Sequence, residues 1–470
     1  MKTRSPLAVL TLLLLVFDIP ISPRASGAAE SADLIIRNAL IVTMDKDYRV
    51  VEDGAVALKK ERILGVGPSR EILKSYSAPT VIDAGGRVVM PGLINTHTHV
   101  PMALFRGIAD DLMLMDWLQK YIFPAEARNV NEEFVRWGTK LGCLEMILGG
   151  TTTFVDMYYF EDAIADETSK AGMRAVLGET VLDFPAPDNK TWDAGMLYAE
   201  KFADRWKGNS LITPAIAPHA PYTVSTEHLK QAHELSMSKG IPLVIHILED
   251  QSEVKTIKER YGATSVAYMD RNGLLDQRTI AAHMVWPTQD EISILAKRGV
   301  GVGHCPQSNM KLAAGVAPVP AMIKAGVAVG LGTDGAASNN DVSMWEEMDT
   351  AAKLHKLNSK DPTAVTAREA LEMATIGGAR AIHQDREIGS IEVGKRADVI
   401  VVDFGSPHQT PVYNVYSQLV YATKASDVET VVINGKIVMQ HRKVLTIDER
   451  AVLERANRYR DQVQRSLGKK

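Results

Sequence analysis

Basic clusters, cysteines and long apolar runs are scarce in this sequence, and each scarcity excludes something. Lysine and arginine total 53 against 57 aspartates and glutamates, for a formal net charge of −4, and no basic run stands out. A nucleic-acid partner needs concentrated positive charge, so the composition argues against one. Cys143 and Cys305 are the two cysteines. Cys143 falls in a stretch with helical periodicity and Cys305 just past an apolar strand, so both are expected to be free thiols. Beyond the N-terminus no apolar stretch approaches the ~20 residues of a membrane span. Neither an internal repeat nor a low-complexity linker is present. What remains, at 470 residues, 46% hydrophobic and 23% charged, is an ordinary globular chain long enough for a large barrel and one smaller domain.

The N-terminus stands apart. Lys2 and Arg4 form a basic start, Leu7 to Phe17 is a short apolar run, and Ser26-Gly27-Ala28 offers small residues before Ala29. This is the layout of a secretory signal peptide, expected over residues 1–28. It implies an exported protein, periplasmic or extracellular, with no membrane attachment after cleavage. An uncleaved anchor is the alternative, and a cytoplasmic protein follows if the segment has another role.

Between Arg87 and Ile388 short apolar strands alternate with longer helical stretches, the pattern of βα units and a parallel sheet. The predicted strands are Val88–Thr96, Thr152–Met157, Ala175–Thr180, Ile212–Ala217, Leu243–Leu248, Thr279–Ala282, Val300–Gly303 and Val327–Thr333. Eight such units close a (β/α)8 barrel, expected over 90–388. On either side, 31–89 and 389–445 read as β-hairpins. The simplest account is one small composite β-sandwich built from both ends of the chain, with a charged C-terminal helix in 446–470.

In a (β/α)8 barrel the site forms at the C-terminal ends of the strands. Here the first strand ends in His97 and His99, which share a face because side chains alternate along a strand. The fourth runs into His219, the fifth contains His246 and is followed by Glu249, the sixth ends at His283, the seventh leads to His304, and the eighth ends at Asp334. Singly, each could be a hydrogen-bonded core histidine or a turn aspartate. Together they suggest that His97, His99, His246 and Asp334 hold one divalent ion. Zinc suits three imidazoles and a carboxylate, and Fe2+ or Mn2+ accepts similar ligands. The fourth strand offers no lysine to bridge two metals, which favours a mononuclear site.

These blocks carry a family resemblance. Pro-Gly-Leu-Ile-Asn-Thr-His-Thr-His (91–99), Phe-Val-Asp-Met-Tyr (154–158), Pro-His-Ala-Pro-Tyr (218–222), His-Ile-Leu-Glu (246–249), Ala-Ala-His (281–283) and Gly-Thr-Asp-Gly-Ala-Ala-Ser-Asn-Asn (332–340) resemble the amidohydrolase superfamily. Within it they resemble the 5-methylthioadenosine/S-adenosylhomocysteine deaminases. The resemblance implies a hydrolase of cyclic-amidine C–N bonds acting on a small molecule. It implies Glu249 as the proton-shuttling acid, His283 as the histidine beside the attacking water, and Asp334 as both ligand and base. His219, Glu126 and Trp117 would line the substrate site, with Glu126 at ribose hydroxyls. Glu179 falls where members that take S-adenosylhomocysteine carry an arginine, so an anion there would repel a carboxylate, unless Lys190 compensates.

The expected reaction converts an adenosine-type nucleoside and water to the inosine analogue and ammonia. The alternatives are an aminohydrolase or chlorohydrolase of another N-heterocycle (a guanine derivative, a pterin or an s-triazine) and, in a different class, a periplasmic binding protein without catalysis. A homo-oligomer is compatible with all three.

Overall fold

The computed structural model describes residues 29–468, so the expected signal peptide, 1–28, lies outside the described residues. Eight strands form the barrel, at Leu93–Thr98, Thr151–Tyr158, Arg174–Val181, Ile212–Pro218, Leu243–Ile247, Thr279–His283, Gly301–His304 and Ala328–Leu331. They lie side by side in chain order, each parallel to the next. Helices return the chain between them. Their N-termini are set by side chains that accept a backbone N–H of the first turn: Asn131 from Phe134, Thr191 from Ala194, Ser225 from His228 and Thr288 from Glu291.

Between the eighth and first strands a side chain replaces the ladder. Asn95 accepts from the Thr333 N–H at 3.0 Å and donates to Thr333 Oγ1 at 2.7 Å, while the Asp334 N–H donates to the His97 carbonyl at 2.9 Å. The two backbones approach so closely that a Cβ at Gly332 would lie 2.8 Å from the His97 nitrogen. The seam of the barrel is thus fixed beside two of the predicted ligands.

The apolar run Val88–Thr96, read as one strand, is divided in the structure. Val88–Pro91 pairs antiparallel with Val399–Val402 in a second sheet, and the barrel strand begins at Leu93. Gly92 is the pivot. Its N–H donates to the Asp398 carbonyl at 3.0 Å, and a Cβ there would strike Thr152 at 2.1 Å. The second sheet is mixed and has nine strands, five from 34–91 and four from 399–444, so both ends of the chain do meet in it. Its core includes Leu34, Ile36, Val56, Ile63, Val399 and Val432. A buried ion pair joins the two sheets, with Arg174 Nε 2.7 Å from Asp398 Oδ2.

The helix Glu449–Ser466 packs on Glu132–Leu148, with the Phe134 and Tyr459 rings edge to face at 5.2 Å. Cys143 and Cys305 are buried free thiols, as expected. No helix of the described residues is long and apolar enough to cross a membrane.

Candidate metal centre and pocket

Below the site the barrel lumen is packed with Ile94, Val155, Val176, Ala215, Val244 and Ile280. Above it the lining turns polar. The first strand reaches this layer through an irregularity: its pairing with the second strand slips between Asn95 and Thr98. Past that slip His97 and His99 face inward, while Thr98 turns out and donates to Asp156 Oδ1 at 2.6 Å. The same Asp156 oxygen accepts the Val100 N–H at 2.6 Å, so both neighbours of His99 are held by one carboxylate.

Four of the predicted residues converge. His99 Nε2 and His246 Nε2 are 3.3 Å apart. Asp334 Oδ1 lies 3.3 Å from His99 Nε2 and 3.5 Å from His97 Nε2. The orientation of each ring is set from behind. His99 Nδ1 donates to the Met157 carbonyl at 2.6 Å, and His246 Nδ1 donates to the His219 carbonyl at 2.8 Å. A carbonyl can only accept, so each Nδ1 carries the proton and each Nε2 presents a lone pair. Two lone pairs 3.3 Å apart repel unless a cation lies between them. His97 adds two buried ring nitrogens without a hydrogen-bond partner. Burial also holds the imidazoles neutral, lowering His97 to about 4 and His246 well below its usual range. Burial would raise Asp334, but the imidazoles of His97 and His99 outweigh it and keep the group ionised. Its Oδ2 accepts from Ser308 Oγ at 2.7 Å and Ser338 Oγ at 2.9 Å. Ligand atoms of His97, His99 and His246 lie within 4.8 Å of one another, as do those of His97, His283 and Asp334. The donor set fits a divalent ion.

Two further predicted groups border this cluster. His283 Nε2 is 3.7 Å from Glu249 Oε1, and its Nδ1 faces Asn309 Oδ1 at 3.0 Å. Burial, and next the charge of Asp334, push the Glu249 carboxyl up to about 8. Leu248, His283, Met284 and Asp334 all have positive φ, from 50° to 74°. Such backbone costs about 1–3 kcal/mol per residue and concentrates at functional sites.

A cavity opens from His99 between the barrel mouth and the irregular segment after the first strand. Its wall includes Trp117, Phe123, Glu126, Met157, Tyr158 and His219. Trp117 sits on a short helix, Leu114–Trp117, that continues as a π-turn over Leu118–Ile122, a geometry often found at functional sites. Glu126 follows on Phe123–Asn129, where Oε1 accepts from the Tyr158 hydroxyl at 2.8 Å. Its burial lifts the carboxyl to about 7. His219 Nδ1 is 3.0 Å from Thr223 Oγ1, and burial lowers the ring to about 3. A second cavity touches Glu249 and is lined also by Leu114, Met115 and Tyr222.

Glu179 is not brought to this wall. On its strand Ala175, Leu177 and Val181 pack outward against the helices, and Glu179 shares their parity; Thr180 is the residue that lines the cavity. Glu179 accepts from the Glu161 N–H at 3.2 Å and from Asn189 Nδ2 at 2.9 Å, and burial raises it well above the usual carboxylate range. It is a buried, outward-facing structural carboxyl, and the repulsion argument built on it falls. Lys190 does not compensate anything: its Nζ donates to the Ala186 and Pro187 carbonyls of its own loop at 2.6 and 3.0 Å. His304 is likewise outside the cluster, with its Nε2 3.1 Å from His355 Nε2. The supporting residues Asp156, Tyr158, Ser308, Asn309 and Ser338 were not singled out from sequence. Three of them, Asp156, Tyr158 and Ser338, lie in the blocks that were.

The sequence profile of the Amidohydrolase family matches residues 88–438. A 5-methylthioadenosine/S-adenosylhomocysteine deaminase of Syntrophobacter fumaroxidans is 49% identical over 424 residues, covering 90% of this chain and 97% of that relative. A 5'-deoxyadenosine deaminase of Methanosarcina mazei is 45% identical over 429 residues, 91% of this chain and 97% of that one. Among solved structures, an adenosine deaminase from Xanthomonas campestris with bound zinc superposes with a TM-score of 0.91 at 40% identity, covering 93% of this chain and 100% of that chain.

Proposed function

The chain belongs to the amidohydrolase family, and on that premise we propose that it is a metal-dependent deaminase of adenosine-type nucleosides. The observation that carries this reading is the pair of carbonyl-oriented imidazoles, His99 and His246, with their Nε2 lone pairs 3.3 Å apart beside Asp334. His97, His99, His246 and Asp334 would hold the ion, and zinc suits the set. A divalent ion so held supplies a water nucleophile at neutral pH, by lowering the water's pKa to roughly 7 in favourable sites.

The chain's own residues do the rest. Asp334, ionised, takes the proton of the attacking water. His283, kept neutral by burial and tied at Nδ1 to Asn309, faces that water with Nε2. Glu249 is protonated at neutral pH because its carboxyl is buried near Asp334, so it can donate to a ring nitrogen and make the adjacent carbon electrophilic. A second proton passed through Glu249 to the amino group lets ammonia leave. Aminopurine and water give oxopurine and ammonia. The Glu126 carboxylate suits a vicinal diol such as that of ribose, and the Trp117 ring suits a flat heterocycle.

The test is ammonia release from adenosine, 5'-methylthioadenosine, 5'-deoxyadenosine, S-adenosylhomocysteine, guanine and pterins, paired with metal analysis. Turnover of adenosine derivatives with about one metal per chain supports the reading. Activity confined to guanine or pterins moves the protein to another heterocycle, and metal-free, inactive protein supports a binding role. Chelation should abolish turnover, and zinc should restore it.

A further inference from the structure

We propose, resting on the metal-centre reading above, that Asp156 and Glu161 form a carboxylate–carboxylic acid pair, with the shared proton on Glu161, and that this pair positions the ligand His99. Three successive residues at the end of the first barrel strand are held by two residues of the second. Thr98 Oγ1 and the Val100 N–H donate to Asp156 Oδ1, each at 2.6 Å, and His99 Nδ1 donates to the Met157 carbonyl at 2.6 Å. His99 keeps its Nε2 on the cluster only as long as Asp156 stays in place.

Glu161 is what holds Asp156. It opens the helix Glu161–Ala171, whose N-cap Phe160 supplies no side-chain acceptor. Carboxyls take that role behind the strand end. The Tyr158 N–H donates to Glu161 Oε1 at 3.0 Å, the Phe160 N–H to Asp188 Oδ2 at 2.7 Å and the Glu161 N–H to Glu179 Oε2 at 3.2 Å. Among the described residues no N–H or hydroxyl donor reaches Asp156 Oδ2 or Glu161 Oε2, both of them buried, and the two carboxyls hydrogen-bond one another. Two buried carboxylates would repel, whereas one proton between them makes the contact a charge-assisted hydrogen bond. Asp156 already accepts two donors at Oδ1, which favours its charge, and Glu161 accepts one, so the proton belongs to Glu161. The acidities run the same way. Burial, and next the charge of Asp156, raise Glu161 well above the usual carboxylate range, while burial lifts Asp156 only to about 6.

The test is the zinc affinity of the full chain, read by competition with a chromogenic chelator, beside steady-state kinetics and denaturant unfolding. Glu161→Gln keeps a donor for Asp156 and an acceptor for the Tyr158 N–H, and should leave zinc affinity and kcat near those of the unaltered chain. Glu161→Leu keeps neither, and should weaken zinc binding and lower kcat by about 10–100-fold. Thr98→Val removes one Asp156 donor with little change of shape, and should weaken zinc binding about three- to tenfold, with KM little changed. A pair that serves the fold alone would lower unfolding stability in Glu161→Leu but leave the zinc affinity of the folded chain unmoved, and that result overturns the proposal. So does a Glu161→Gln chain as impaired as Glu161→Leu. Should Glu161→Leu fail to fold, Glu161→Gln and Thr98→Val decide: intact zinc binding in the first with weakened binding in the second supports the pair, and any other combination overturns it. An unaltered chain that binds no zinc overturns the metal centre and the pair together, whereas zinc binding without ammonia release overturns only the deaminase reading.

Discussion

His246 Nδ1 donates to the backbone carbonyl of His219 at 2.8 Å, so one residue serves the site with two unconnected parts. The carbonyl of His219 orients a proposed metal ligand, while its imidazole faces the cavity. Backbone survives substitution and the side chain does not. His219→Ala should therefore retain metal at one per chain and raise KM by about 10–100-fold, the loss of one polar substrate contact. Metal analysis and steady-state kinetics on the same preparation check it; loss of metal would show that the imidazole, too, supports the cluster.

Glu249→Gln removes the transferable proton but keeps the shape. Metal content should be unchanged and kcat should fall by about 10²–10⁴-fold, the usual range for a general acid–base group. Near-normal ammonia release would remove Glu249 from the chemistry.

Burial raises Glu126 from the ordinary 4.5 to about 7, against the smaller opposing effect of the Tyr158 hydrogen bond. Between those values the folded chain holds a proton that the unfolded chain has released, so this group makes stability fall as pH rises from about 4.5 to 7. The full effect is on the order of 3 kcal/mol above pH 7. Glu126→Gln keeps an acceptor for Tyr158 and has no proton to lose. Its unfolding free energy should fall less than that of the unaltered chain between pH 5 and 7.5, as read by urea titration at several pH values.

The two sheets are joined by Arg174 and Asp398, both nearly fully buried. Arg174 also donates to the Ser210 carbonyl at 2.7 Å, and Asp398 accepts the Asn434 N–H at 2.6 Å. Asp398→Ala leaves a buried guanidinium without its counter-charge and should cost about 3–5 kcal/mol. Arg174→Met combined with Asp398→Leu should recover most of that loss in denaturant unfolding. A double variant no better than the single one would assign the cost to lost packing or backbone contacts.

Much of this protein was legible in one dimension. Strand exits repeat a polar residue after an apolar run, and that repetition marks eight parallel strands and their working end without any distance. His97, His99, His246, Glu249, His283 and Asp334 emerge this way because each follows directly on a hydrophobic strand. The division at Gly92 does not, because Val-Val-Met-Pro-Gly-Leu-Ile is apolar on both sides of the pivot and both halves are buried in sheets. Glu179 was misplaced for a related reason. A barrel strand is buried on both faces, so alternation of polar and apolar residues cannot tell inside from outside. Glu179 and Thr180 differ by one position, and only the packing of Ala175, Leu177 and Val181 against helices shows which of them faces out.

The sequence by itself determined the architecture and the donor set, since both depend on residue type and on spacing along single strands. Tertiary structure decided the rest. The slip between Asn95 and Thr98 turns His97 and His99 inward, the carbonyls of Met157 and His219 fix the imidazole tautomers, burial raises Glu249 and Glu126, and the neighbouring imidazoles lower Asp334 against its burial. Those quantities depend on what lies across a strand or over a side chain, and neighbours in space are not neighbours in sequence.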